Sequence, residues 1–137
     1  KARVKWVEDV MVVGETPSGH AIVMDGSPEA GGRNLGARPM EMLLLGMGGC
    51  SSFDVVGILK KSRADIVDCV VELEAERADD IPKVFTRIHA HYIVSGHNLK
   101  PAVVQRAVQL SVEKYCSASI MLGKTAVLTH DFEIIEV

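Results

Sequence analysis

The sequence predicts an α+β fold in a single domain, residues 1–137, and three observations carry that prediction. Residues from Ala2 to Val13, and again from Val67 to His97, alternate apolar and polar side chains as half-buried strands do. Between them, Pro39 to Ser62 is apolar on nearly every face, the mark of a buried helix. A second helical pattern from Pro101 to Tyr115 precedes a final alternating run, Ala126 to Val137. The expected order is ββ-α-ββ-α-α-β, an antiparallel or mixed β-sheet with a long buried central helix.

Taken in order, Val4, Trp6, Val10 and Val12 mark one face of the first strand. Thr16-Pro17-Ser18-Gly19 is a turn, and His20 to Asp25 returns as the second arm of a hairpin. Gly26 to Arg38 holds four glycines and little apolar content, so a mobile loop is expected there. Pro39 suits the first position of a helix, Glu41 its first turn, and Lys60, Lys61 and Arg63 its end. Gly46, Gly48, Gly49 and Gly57 each cost about 1 kcal/mol relative to Ala in a helix, so a close backbone neighbour is expected to offset them.

The next two strands can be registered from sequence alone. Centring the hairpin on Asp79 to Lys83 sets Glu76 against Arg87, Glu74 against His89 and Glu72 against His91. The same alignment sets Ala75 against Ile88, Leu73 against Ala90, Val71 against Tyr92 and Cys69 against Val94. Charges thus share one face and apolar pairs the other. Past Tyr115, Ser117 and Ser119 are candidate caps for a short helix through Met121 and Leu122.

Composition narrows the function. Hydrophobic residues make up 47% but aromatics only 4%, so the core is aliphatic. A net charge of −3 without a basic stripe argues against nucleic acid. The alternation at the start speaks against a signal peptide, and the uncharged run Met42 to Phe53 is shorter than the roughly 20 residues a bilayer needs, so no membrane partner is expected. Three cysteines, an odd count, suit a reducing, cytoplasmic compartment.

Chemistry is sought at those cysteines. A lone Cys in an apolar helix is more often packing than function, but Cys50 follows three glycines and precedes Ser51 and Ser52, a polar insertion that suits a cleft. At about 100° per residue Asp54 shares the face of Cys50 and Glu41 lies almost opposite. As an anion Asp54 raises a neighbouring thiol pKa. Cys116, at a break between helices beside Lys114, is expected to favour thiolate. Cys69 points to the inner face of the hairpin and is structural. His89, His91 and His97 share a strand parity but fit a solvated, charge-paired face; no cysteine spacing matches a zinc site, and neither metal nor cofactor is expected.

Arg38-Pro39-Met40-Glu41-Met42-Leu43-Leu44-Leu45, Gly48-Gly49-Cys50-Ser51-Ser52-Phe53-Asp54-Val55 and Glu113-Lys114-Tyr115-Cys116-Ser117 resemble the OsmC/Ohr family, most closely its YhfA-like branch. The resemblance implies an OsmC-like, intertwined homodimer with active sites at the interface. It also implies a thiol-dependent peroxidase acting on small organic hydroperoxides in oxidative stress defence. Carried over, Cys50 is peroxidatic, Cys116 resolving and Glu41 a third catalytic residue, with an external dithiol as reductant. Two departures stand out: Glu41 lies one place beyond the residue after Pro39, and Asp9 to Gly14 holds no Arg, leaving Arg3, Arg33 and Arg38 as substitutes. They favour the alternative, a non-peroxidatic member of the fold that binds a small apolar or thiol-reactive molecule.

Overall fold

A computed structural model describes all residues 1–137. By internal contacts the chain forms two compact units, Lys1–Leu45 and Gly46–Val137. The first is a three-stranded antiparallel sheet of β1 (Arg3–Glu8), β2 (Met11–Glu15) and β3 (Ala21–Met24). The single strand expected from Ala2 to Val13 is therefore two. Adjacent Glu8 and Asp9 interrupt the alternation, and Asp9 takes a left-handed φ of 53° that lets the chain reverse. The Trp6 indole N–H donates to the Asp9 carbonyl at 2.8 Å and braces that turn.

The glycine-rich stretch after β3 is built around Asp25 rather than lacking structure. Its carboxylate accepts the backbone N–H groups of Gly26 (2.7 Å), Leu35 (3.1 Å) and Arg33 (3.2 Å). Those donors, Gly26 and Leu35 foremost, hold its pKa below the usual carboxylate value. Gly32 is required by the same wrap, since a Cβ there would collide with the Gly26 carbonyl. Asp25 is the one buried residue of this unit; no apolar side chain in it is buried.

Helix α1, Pro39–Lys61, runs from the first unit into the second. Its start is fixed by Glu41, whose carboxylate accepts the Arg38 backbone N–H at 2.7 Å, the reciprocal half of a capping box. Over 18 residues its mean hydropathy reaches 1.7, enough by length and composition for a bilayer span, yet only 28% of that window is buried. The buried residues, Met47, Gly48, Ser51, Val55 and Leu59, form one stripe at a four-residue repeat. Within one chain the helix is therefore buried on one face rather than on most. Gly48 alone among the helix glycines meets a close neighbour: a Cβ there would lie 2.7 Å from Leu73 Cδ1, whereas Gly46, Gly49 and Gly57 face open space.

The stripe packs on the second sheet, where β4 (Asp65–Arg77) pairs antiparallel with β5 (Phe85–His97) and β5 parallel with β6 (Val127–Glu136). Each cross-strand pair read from the sequence, from Glu76 with Arg87 to Cys69 with Val94, is present. Alternate β5 residues Ile88, Ala90, Tyr92 and Val94 are buried. Ala90, Tyr92 and Val94 form the core together with Val55, Leu59 and the inner face of helix α2 (Pro101–Leu110). Truncating a core aliphatic such as Leu59 to Ala costs about 2–5 kcal/mol in comparable settings.

The outer face carries the charges, but its histidines bond toward β6 rather than to Glu72 and Glu74. His89 contacts Thr129 Oγ1 (2.7 Å) and Asp131 Oδ1 (3.0 Å); His91 contacts Asp131 Oδ1 (2.7 Å) and Glu133 Oε2 (2.9 Å). A carboxylate only accepts, so His91 satisfies both partners by donating from both ring nitrogens, as the imidazolium. Asp131 first and Glu133 second raise its pKa above 6.5. A raised histidine pKa stabilises the fold fully below the unfolded value and ceases to do so as pH rises through the folded one. Urea unfolding from weakly acidic to weakly alkaline pH should therefore show wild type losing stability relative to His91→Gln as pH rises past 6.5; parallel curves would contradict the assignment.

Candidate active site

The site lies within the second unit and starts from a buried chain of hydroxyls. Ser51 Oγ is 2.6 Å from the Tyr92 hydroxyl and 2.7 Å from Ser111 Oγ, and Ser111 Oγ is 3.1 Å from Asp54 Oδ2. Tyr92, Ser51 and Ser111 are fully or almost fully buried. Each hydroxyl has one proton, and an ionised carboxylate can only accept. The Ser111 proton therefore goes to Asp54, the Ser51 proton to Ser111 and the Tyr92 proton to Ser51. The chain is directional, runs from β5 through α1, and ends on the Asp54 carboxylate. Sequence reasoning placed Ser51 toward a cleft; the structure turns it inward, because a helix apolar on all sides does not mark which face is buried.

Ser111 owes its place to an irregularity. The helix expected through Tyr115 is α-helical only to Leu110, and Ser111–Tyr115 widens into a π-turn closed by the Cys116 N–H on the Ser111 carbonyl at 2.8 Å. Such turns recur at functional sites. Helix α3 (Ser117–Leu122) follows, and its cap is neither Ser117 nor Ser119 but Cys116, whose sulfur accepts the Ser119 N–H at 3.3 Å and the Ser119 hydroxyl at 3.0 Å.

Cys50, Asp54 and Cys116 meet here. Their two sulfurs and a carboxylate oxygen all lie within 4.8 Å of one another. Cys50 and Asp54 stand one helical turn apart on one face, as the helical period indicated. Both are partly exposed, while Cys116 is fully buried. No cysteine is in a disulfide. A cleft of about 420 Å³ opens beside Asp54, walled by Phe53, Ile58, Leu110 and Tyr115, with Lys61 at its edge.

Charge at the site departs from expectation. Burial, and then the nearby Cys50, push the Cys116 thiol up despite the Ser119 hydroxyl, so its environment opposes thiolate. Lys114, the expected helper, instead lies over the Tyr115 ring, 5.2 Å from its centroid. Each of the three arginine substitutes is engaged elsewhere. Arg3 pairs with Glu15 (3.4 Å), Arg33 with Glu8 (3.1 Å) and Asp9 (3.8 Å), and Arg38 bonds Asn34 Oδ1 (2.6 Å). No basic side chain bonds or pairs with Cys50, Asp54 or Cys116. Glu41 is engaged at its helix cap. Cys69 faces inward as expected, and burial raises its thiol pKa.

Ser51, Ser111, Tyr92 and Ser119 are the residues sequence reasoning missed. The adjacent serines after Cys50 were the available signal. Ser111→Ala leaves Ser51 with an undirected proton and Asp54 without a donor. It should destabilise the protein by roughly 1–3 kcal/mol in chemical denaturation, and a loss below the error of the measurement would mean the chain is not formed.

Residues 31–131 match the family described as OsmC-like protein. Protein YhfA of Escherichia coli K12 is 51% identical over 135 residues, which cover 98% of each chain. A hypothetical protein from Aquifex aeolicus, known from its crystal structure, superposes with a TM-score of 0.87 at 28% identity, over 100% of this chain and 96% of that one. An organic hydroperoxide resistance protein OsmC from Legionella pneumophila shares the fold at 14% identity, with a TM-score of 0.70 over 100% and 96%. The matched span and the near full-length identity to YhfA agree with the cysteine motifs, and the chain belongs to the OsmC-like family.

Proposed function

We propose that this protein is a thiol-dependent peroxidase that reduces organic hydroperoxides in oxidative stress defence. Membership of the OsmC-like family, and structural neighbours that include an organic hydroperoxide resistance protein, support a redox or peroxide-resistance role. The observation that carries the finer reading is the approach of the Cys50 and Cys116 sulfurs to within 4.8 Å of each other and of a carboxylate oxygen of Asp54, a residue that also lines a cleft of about 420 Å³.

The division of labour follows from exposure. Cys50, the partly exposed sulfur, attacks as thiolate on the hydroperoxide oxygen. The O–O bond breaks, Cys50 becomes a sulfenic acid, and the departing alkoxide takes a proton to leave as alcohol. Cys116, buried and held as a thiol, then displaces hydroxide from the sulfenic sulfur; a disulfide forms and water leaves. An external dithiol restores both thiols and is itself oxidised. The apolar cleft wall suits an alkyl group. Glu41 takes a positioning part in this reading, through the start of α1.

The lack of a basic partner at Cys50 favours a second reading, a non-peroxidatic OsmC-like protein that binds a small apolar or thiol-reactive molecule. Cumene hydroperoxide consumption with a dithiol reductant separates the two. The peroxidase reading expects turnover that Cys50→Ser abolishes, whereas Cys116→Ser gives one round and accumulates sulfenic acid. Wild type that keeps all its free thiols after equimolar hydroperoxide would leave only the binding reading.

A homodimer is part of the same proposal. In the first unit Val4 and Trp6 are 64% and 65% exposed, and on the open face of α1 Leu45 and Phe53 are 60% and 83% exposed. Exposed apolar surface of this kind marks interaction sites. A unit with no buried apolar side chain also lacks the burial that stabilises so short a segment. Sedimentation velocity at micromolar concentration should show a dimer, and a stable monomer would refute it.

A further inference from the structure

The site gathers two thiols and a carboxylate with no basic side chain bonded to them, and this crowding has a second resolution besides protonation. We propose that the reduced protein holds one zinc ion per chain through Cys50 Sγ, Cys116 Sγ and an oxygen of Asp54. The proposal rests on the geometry of the cluster and not on hydroperoxide turnover.

Three observations converge on it. First, the three donor atoms lie within 4.8 Å of one another. Zinc bonds of about 2.3 Å to sulfur and 2.0–2.2 Å to carboxylate oxygen need donors roughly 3.5–3.8 Å apart in a tetrahedron, within that limit. Second, the donors are supported from behind. The Ser111 hydroxyl donates to Asp54 Oδ2, and the Ser119 N–H and hydroxyl both point at the Cys116 sulfur. Hydrogen bonds of this kind orient ligands and temper the charge of a bound thiolate. Third, thiolate and carboxylate together suit a borderline-soft divalent ion, which takes thiols in their deprotonated form.

Cys50 is partly exposed, so water or a small ligand can complete a three-ligand site. Binding releases the thiol protons to solvent. It also competes with oxidation, since the Cys50–Cys116 disulfide offers no thiolate and expels the ion. Spacing rules could not reveal this site, because its two sulfurs come from segments far apart in sequence.

Cobalt(II) titration of the reduced, metal-free full chain tests the proposal, with zinc then displacing the cobalt. A thiolate-to-cobalt charge-transfer band should grow to one equivalent per chain, vanish in Cys50→Ser and in Cys116→Ser, and persist in Cys69→Ser. Asp54→Asn should weaken zinc competition against a chromophoric chelator by about 10-fold or more, with near-ultraviolet circular dichroism confirming that each variant is folded. Absence of the band in folded wild type, its retention in Cys50→Ser, or unchanged affinity in Asp54→Asn would overturn the assignment. Peroxide turnover without a cobalt band removes the metal site alone; a one-equivalent band without turnover supports it while removing the peroxidase reading.

Discussion

The hydroxyl chain from Tyr92 through Ser51 and Ser111 to Asp54 is the constraint on which the site depends. It ties the middle of α1 to the core strand β5 and to the π-turn before Cys116. A hydroxyl sealed from water without a partner costs about 1–3 kcal/mol, so the helix can neither rotate nor slide without leaving several groups unpaired. Rotation held in this way fixes where Cys50 and Asp54 point. The π-turn then brings Cys116 to them rather than a residue to either side.

Polarity at this point in an otherwise aliphatic core also explains the electrostatics. Asp54 accepts from the Ser111 hydroxyl, and no arginine or lysine bonds or pairs with it or with the thiols beside it. The cluster thus stands between two chemistries. Protonated, it is a dithiol that a peroxide can oxidise through Cys50; deprotonated, it is a ligand set. Which one operates depends on what enters the cleft beside Asp54.

Much of the fold was legible in the sequence, and the reasons are local. The β4–β5 register followed from one loop and two alternating faces, where a slip of one residue would have buried Glu72 and Glu74. Asp54 beside Cys50 followed from the helical period. What escaped depended on tertiary choices. An all-apolar helix does not say which stripe is buried, so Ser51 was assigned to a cleft and the helix glycines to close neighbours that only Gly48 has. Cys116 looked activated because Lys114 is adjacent in sequence, but the π-turn sends that lysine onto Tyr115 and the sulfur into the core. The stretch after β3 looked mobile because its organiser, Asp25, precedes the glycine-rich segment whose backbone N–H groups it accepts. The first strand splits where Glu8 and Asp9 break its alternation and Asp9 reverses the chain.

The central claim is that packing, rather than chance encounter, holds Cys50 against Cys116. Oxidation of the dilute reduced protein by diamide, followed by non-reducing peptide mapping, addresses it directly. A single intrachain Cys50–Cys116 disulfide, with Cys69 left free, is the predicted product. Crosslinks through Cys69, mixed interchain pairs, or two sulfurs that never join would contradict the account.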